Sequence, residues 1–125
     1  MDCIFCEIIN KNIESNIIYE NENIIAFLDA FPEKNHQGHT LVVPKKHQCL
    51  MYEKKFNFDY MDEIIKVSNI LKKGLQFDGL KIINNNEGIA GQEIQHVHVH
   101  LIPYYQEKCE FKSTDFEKIK YLILQ

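Results

Sequence analysis

The sequence predicts an α+β fold: an antiparallel sheet of about five strands with one long helix and a short C-terminal helix. Three observations lead there. Short β-branched and aromatic runs recur between polar or Gly/Pro punctuation. One long stretch, residues 60–76, carries an apolar stripe of helical period. Residues 94–102 (IQHVHVHLI) alternate strictly, which is the period of a strand.

Taken in order, Ile17 to Tyr19 and Asn23 to Leu28 flank the polar Glu20-Asn21-Glu22 and read as a hairpin. Residues 29–38 (DAFPEKNHQG) mix Pro and Gly with polar residues and read as a loop. His39 to Val43 is a strand ended by Pro44. In the long helix Tyr60, Ile64, Val67 and Leu71 line one face, Asp62 and Lys66 pair at i, i+4, and Gly74 stands near the C-terminal end. Leu80 to Ile83 forms a strand, followed by the loop NNNEGIAGQ and the alternating segment. Thr114-x-x-Glu117 has capping-box spacing ahead of Ile119, Leu122 and Ile123, so a short helix closes the chain.

A chain of 125 residues, 45% hydrophobic and 26% charged, is read as one domain spanning 1–125 and excludes disordered or fibrous architecture. All 14 basic residues are lysine, against 18 acidic ones. That balance argues against a nucleic-acid partner and leaves no arginine to clamp a phosphate bidentately. No apolar run approaches the ~18 residues of a membrane span, and MDCIFCEII does not read as a signal peptide, so a cytoplasmic protein with no membrane partner is expected.

Three of the six histidines, His96, His98 and His100, fall within five residues. On a strand they share one face, with Val97, Val99 and Leu101 on the other. Directly before them, Gly88-Ile89-Ala90-Gly91-Gln92 is a small-residue loop that lets a ligand approach the backbone. Cys3 and Cys6 form C-x-x-C, which spacing alone leaves open between a zinc knuckle, a redox pair and two buried thiols. A zinc site would need two histidines besides, for example His47 and one of the three clustered ones. Cys49 and Cys109 are read as small buried hydrophobes.

The run His96-Val97-His98-Val99-His100-Leu101-Ile102 resembles the signature of the histidine triad (HIT) family. The likeness extends in order through Cys3-Ile4-Phe5-Cys6-Glu7-Ile8-Ile9, Ala26-Phe27-Leu28-Asp29, Gly38 to His47 and Ala90-Gly91-Gln92, and is strongest to the small zinc-bearing, Hint-like members. The resemblance implies a HIT-like fold and hydrolysis or transfer at a nucleotide α-phosphate, with His98 as nucleophile and His39 and His100 on the phosphate oxygens. It implies Gln92 and Asn85 at the phosphate, Asp29 on the ribose, and Phe5, Ile8 and Phe27, with Ile25, around the base. It further implies structural zinc on Cys3, Cys6, His47 and His96, and a homodimer paired through residues 60–76 and 80–83.

Two departures stand out. The 29–39 loop is about two residues longer than usual in the family, and Glu93 replaces the usual Ser or Thr beside Gln92, where its carboxylate is expected to face outward. His36 has no counterpart and is expected in solvent. The first functional reading is a purine nucleoside phosphoramidate hydrolase of the AMP-lysine type. Beside it stand a dinucleoside polyphosphate hydrolase, a nucleotide-binding scaffold with weak catalysis and, last, a zinc redox switch.

Overall fold

The computed structural model describes residues 3–53 and 55–125. Its elements are α1 (Ile4–Ile9), β1 (Ile17–Glu20), β2 (Ile24–Leu28), β3 (Thr40–Pro44), α2 (Tyr60–Leu75), β4 (Gly79–Ile83), β5 (Val99–Tyr104) and α3 (Phe116–Ile123), with a single 3₁₀ turn at Gly88–Ala90. The five strands form one antiparallel sheet in the order β1-β2-β3-β5-β4.

Helices cover both faces of this sheet, which is why β2 and β3 are buried at every position and read as apolar runs. On one face Ile24, Ala26, Leu28, Val42, Val99 and Leu101 meet Tyr60, Ile64, Val67 and Leu71 of α2 and Ile119 and Ile123 of α3. On the other, Ile25, Phe27, Leu41 and Val43 pack against Phe5 and Ile8 of α1. Each such side chain, fully buried, contributes roughly 1.5–3 kcal/mol.

Both strands of the hairpin form as expected. Its turn closes because the Asn21 side-chain oxygen accepts from the backbone N–H of Asn23 (2.8 Å) and Ile24 (3.0 Å). The buried Glu63 carboxylate of α2 then accepts from the Asn21 and Asn23 side-chain amides, tying hairpin to helix.

Several expectations are corrected. A third helix, α1, was not anticipated: six residues are too few to show a period, and its cap is an unusual one, the Cys3 sulfur accepting from Cys6 N–H at 3.4 Å. The clustered histidines do not all lie on a strand. β5 starts only at Val99 and runs on to Tyr104, leaving His96 and His98 in the irregular segment ahead of it. Lys66 pairs with Glu63 at i, i+3 (3.4 Å) rather than with Asp62, because Glu63 is the buried carboxylate on that side. α3 is capped by Asp115, whose carboxylate accepts from Lys118 N–H, so the helix starts one residue later than expected and the Thr114–Glu117 capping box does not form. His36 is half-buried rather than solvated: its Nδ1 donates to the Pro103 carbonyl (2.9 Å) and its ring lies against Tyr104. Cys49 and Cys109 are only half-buried.

Candidate active site and metal centre

The three clustered histidines emerge on the α1 face of the sheet, where the Phe5 ring stands edge-on to His96 and His98 with centroids 5.8 and 5.0 Å away. The backbone fixes the proton on two of the rings. The His98 Nδ1 donates to the His96 carbonyl at 2.8 Å, which leaves its Nε2 as a lone pair. The His96 Nε2 donates to the Pro44 carbonyl at 2.8 Å, which leaves its Nδ1 as a lone pair.

That Nδ1 points at the thiols of Cys3 (3.4 Å) and Cys6 (3.7 Å), and the Cys6 sulfur lies 3.3 Å from Nδ1 of His47. One donor atom from each of Cys3, Cys6, His47 and His96 lies within 4.8 Å of the other three. Tetrahedral zinc with Zn–S of ~2.3 Å and Zn–N of ~2.05 Å separates sulfur from nitrogen by ~3.6 Å, so the spacing fits. Burial, and after it the neighbouring Cys3 thiol, push the Cys6 thiol up to about 11. A thiolate here therefore needs a cation beside it. The structure brings together cysteines and histidines about 40 and 90 residues apart in the chain.

On the far side of His98 a second chain of polar groups forms. The Asp29 carboxylate lies 3.3 Å from His39 Nδ1, and His39 Nε2 lies 3.0 Å from His100 Nδ1. Since the carboxylate accepts, His39 donates from Nδ1 and accepts at Nε2 from His100 Nδ1–H. Burial lowers His39 and His98 below the ordinary histidine range, and pushes His96 and His100 down to about 4. At neutral pH these imidazoles are uncharged, and His98 and His100 each keep Nε2 as a free lone pair.

These groups open on a cleft of about 370 Å³, lined by Phe5, Asp29, Phe31, Leu41, Asn85, Gly91, Glu93, Ile94, His98 and His100. A larger groove of about 610 Å³ between residues 32–37 and 108–114 holds lysines and Glu110 but no histidine, so the reactive groups belong to the smaller cleft.

Of the residues singled out from sequence, Phe5, Asp29, Asn85, His98 and His100 line this cleft. Ile8 and Phe27 are fully buried behind Phe5 and Leu41. Gln92 is buried beneath the loop: its Oε1 accepts from Glu87 N–H (2.7 Å) and its Nε2 donates to the Cys49 carbonyl (2.6 Å). One Asp29 oxygen already accepts from Phe31 N–H (3.0 Å). Glu93 is exposed on the rim, near enough for its charge to raise His98 slightly against the larger effect of burial.

Sequence reasoning passed over Phe31, 90% exposed at the cleft mouth in the long loop, and Asn84, which donates to the His98 carbonyl at 2.9 Å. Neither position has a periodic or spacing signal.

An antiparallel sheet covered on both faces, presenting neutral buried imidazoles to an open cleft, defines a protein equipped for nucleophilic chemistry on a polar ligand. The HIT domain family model matches residues 10–107, and the chain belongs to that family. It is 50% identical over 132 residues to an uncharacterised HIT-like protein of Methanocaldococcus jannaschii, covering 94% of this chain and 95% of that protein. It is 34% identical over 123 residues to the adenosine 5'-monophosphoramidase of Saccharomyces cerevisiae, covering 94% of this chain and 75% of that protein. A zinc-bound histidine triad family protein of Mycobacterium smegmatis has the same fold, with a TM-score of 0.76 and 25% identity, covering 98% of this chain and 94% of that one. Among the described residues no helix is long and apolar enough to cross a membrane.

Proposed function

We propose that the protein hydrolyses purine nucleoside phosphoramidates at the α-phosphate through a covalent nucleotidyl–His98 intermediate. The observation that carries this is the bond from His98 Nδ1 to the His96 carbonyl, which leaves the other ring nitrogen unprotonated beside an open cleft. The yeast relative's activity as an adenosine 5'-monophosphoramidase supports the substrate class.

In the first step His98 Nε2 forms a bond to phosphorus as the P–N bond to the leaving amine breaks, and the amine takes up a proton from solvent relayed through His100 Nε2. In the second step water attacks the same phosphorus and gives up a proton to solvent through His100 Nε2, returning the proton used in the first step. The N–P bond to His98 breaks, the nucleoside monophosphate leaves and the neutral imidazole returns. Splitting the displacement in two lowers each barrier. With no arginine in the chain, charge developing on the phosphate oxygens falls to loop N–H groups and to His100 when its Nε2 carries a proton, with His39 holding the His100 ring from behind. The Asp29–His39–His100 chain holds His100 with Nδ1 protonated and directs its Nε2 toward proton exchange with the leaving group. Asn85 borders the phosphate, Phe5, Leu41 and Ile94 flank the base, and Asp29 accepts from the ribose; Gln92 acts by holding the loop that carries Gly91.

Zinc on Cys3, Cys6, His47 and His96 would pin α1 to the segment that carries His98. With four protein ligands it would be structural. A homodimer through the edge strand β4 and helix α2 is part of the same reading, supported by the exposed apolar side chains of Ile82, Met61 and Ile65 on those elements.

The test is turnover of an adenosine phosphoramidate beside diadenosine tetraphosphate. The phosphoramidate should be the better substrate, and His98→Ala should abolish its hydrolysis with the melting temperature retained. Preference for the dinucleotide would transfer the protein to the polyphosphate branch, and substantial turnover by His98→Ala would exclude His98 as nucleophile. Binding of nucleotide with turnover of neither substrate would leave the scaffold reading.

A further inference from the structure

The main chain that presents His98 lies outside the sheet. The β4–β5 ladder ends at the pair Ile83 and His100, and the β3–β5 ladder at Val42 and Val99. The buried backbone groups of residues 96–98 must find partners elsewhere, because leaving them unpaired is costly. Val97 N–H donates to the Gln48 carbonyl at 2.6 Å, and the His96 carbonyl is taken by the His98 ring. The His98 carbonyl accepts from Asn84 Nδ2 at 2.9 Å, just where the β4 ladder stops.

Asn84 does not act alone. Its Oδ1 accepts from Asn86 Nδ2 at 2.6 Å, and Asn86 Oδ1 accepts from Met51 N–H at 2.7 Å. A backbone N–H can only donate and a carbonyl can only accept, so the two ends of this chain dictate the orientation of both amides. The same two segments are joined again by Gln92 Nε2 on the Cys49 carbonyl and by the Tyr52 hydroxyl on the Glu87 carboxylate.

We propose that the Asn84–Asn86 pair is a positioning device for the reaction, locking the main chain at His98 to the turn at residues 49–53 and thereby setting where Nε2 stands in the cleft. This rests on the reading of His98 as nucleophile. Asn84 is absent from the cleft lining, and its side chain reaches the site through its bond to the His98 carbonyl. The transmission is direct, because the His98 ring is itself bonded to the main chain two residues back, so backbone and ring shift together. Attack needs Nε2 within near-contact distance and in line, and a misplacement of ~1 Å can cost about 100-fold in rate. Loss of one anchoring bond, with a smaller shift, should cost about tenfold.

Asn84→Asp keeps the shape but sets a carboxylate oxygen against the His98 carbonyl, and Asn86→Ala removes only the orienting partner. Both variants are assayed for kcat and KM on an adenosine phosphoramidate, for melting temperature, and for the ¹⁵N resonances of the His98 ring. The expected result is kcat about tenfold lower in Asn84→Asp with KM within about twofold, and a smaller fall in Asn86→Ala. The double variant should be no worse than Asn84→Asp alone, and the His98 Nδ1–H signal should shift or broaden. Unchanged kcat in both folded variants would overturn the proposal. So would a lower melting temperature with kcat and the ring resonances unchanged, which assigns the pair a purely structural role. His98→Ala run alongside separates the two ideas. If it stays active, the nucleophile reading fails and this proposal falls with it; if it is inactive while Asn84→Asp is fully active, only the positioning role fails.

Discussion

Gly74→Ala sets two effects of opposite sign against each other. By helix propensity alone, replacing a glycine in α2 with alanine stabilises by roughly 0.5–1 kcal/mol. The added Cβ, however, would lie 2.6 Å from the Leu122 carbonyl oxygen, 2.8 Å from the Ile123 Cα and 3.1 Å from the Leu122 carbonyl carbon. Ordinary contact begins at 3.4 Å, so the shortest approach is 0.8 Å too close. All three atoms are backbone of α3, and no rotamer change relieves the overlap. The two helices must separate, loosening the contact of Ile119 and Ile123 with Leu71 and Val67. Overpacking of this kind costs about 1–3 kcal/mol, and a backbone obstacle puts it at the upper end. The net expectation is destabilisation by about 2 kcal/mol, or about 5–10 °C in Tm for a chain of this size. The readout is a thermal melt with a urea titration to check that the m-value is unchanged. Because α3 packs on the face opposite the histidines, kcat/KM at low temperature should stay at the wild-type value. A Tm equal to or above wild type would refute the reasoning, showing that α3 yields and propensity wins.

Cys6→Ser should remove about one equivalent of zinc per chain by elemental analysis and lower the melting temperature, since it leaves Cys3, His47 and His96 with an incomplete ligand set. A wild-type protein purified without chelator and free of zinc would contradict the metal assignment. Wild-type protein should sediment at twice the chain mass at micromolar concentration, and Ile82→Glu on the exposed edge strand should halve that mass. A monomeric wild type would remove the dimer. His100, pushed down to about 4 by burial and by His98 and His39, binds a proton more readily unfolded than folded. Its contribution to stability is complete above the ordinary value near 6.5 and is lost as pH falls from there through about 4. His100→Gln should flatten that part of the Tm-versus-pH curve, and an unchanged slope would show that the proton binds elsewhere.

Much of this protein was legible without coordinates, because its strongest signals are local and periodic. The stripe of Tyr60, Ile64, Val67 and Leu71 marks α2, the runs at 17–19 and 23–28 mark the hairpin, and the alternation around the histidines correctly sends Val99 and Leu101 to the α2 face. The cluster of histidines and the C-x-x-C are likewise visible as composition within a few residues. What needed the tertiary structure is whatever depends on groups far apart in the chain. α1 has too few residues to display a period, and its ends are defined by the Cys3 sulfur and by packing of Phe5 and Ile8 on the sheet. The strand boundary at Val99 is set by where β3 and β4 stop pairing, which no alternation pattern reveals. The convergence of Cys3, Cys6, His47 and His96, the relay from Asp29 through His39 to His100, and the hold of Asn84 on His98 all join distant segments through single side-chain atoms. Such contacts leave no local imprint, because their geometry is decided by how the packed sheet brings the segments together.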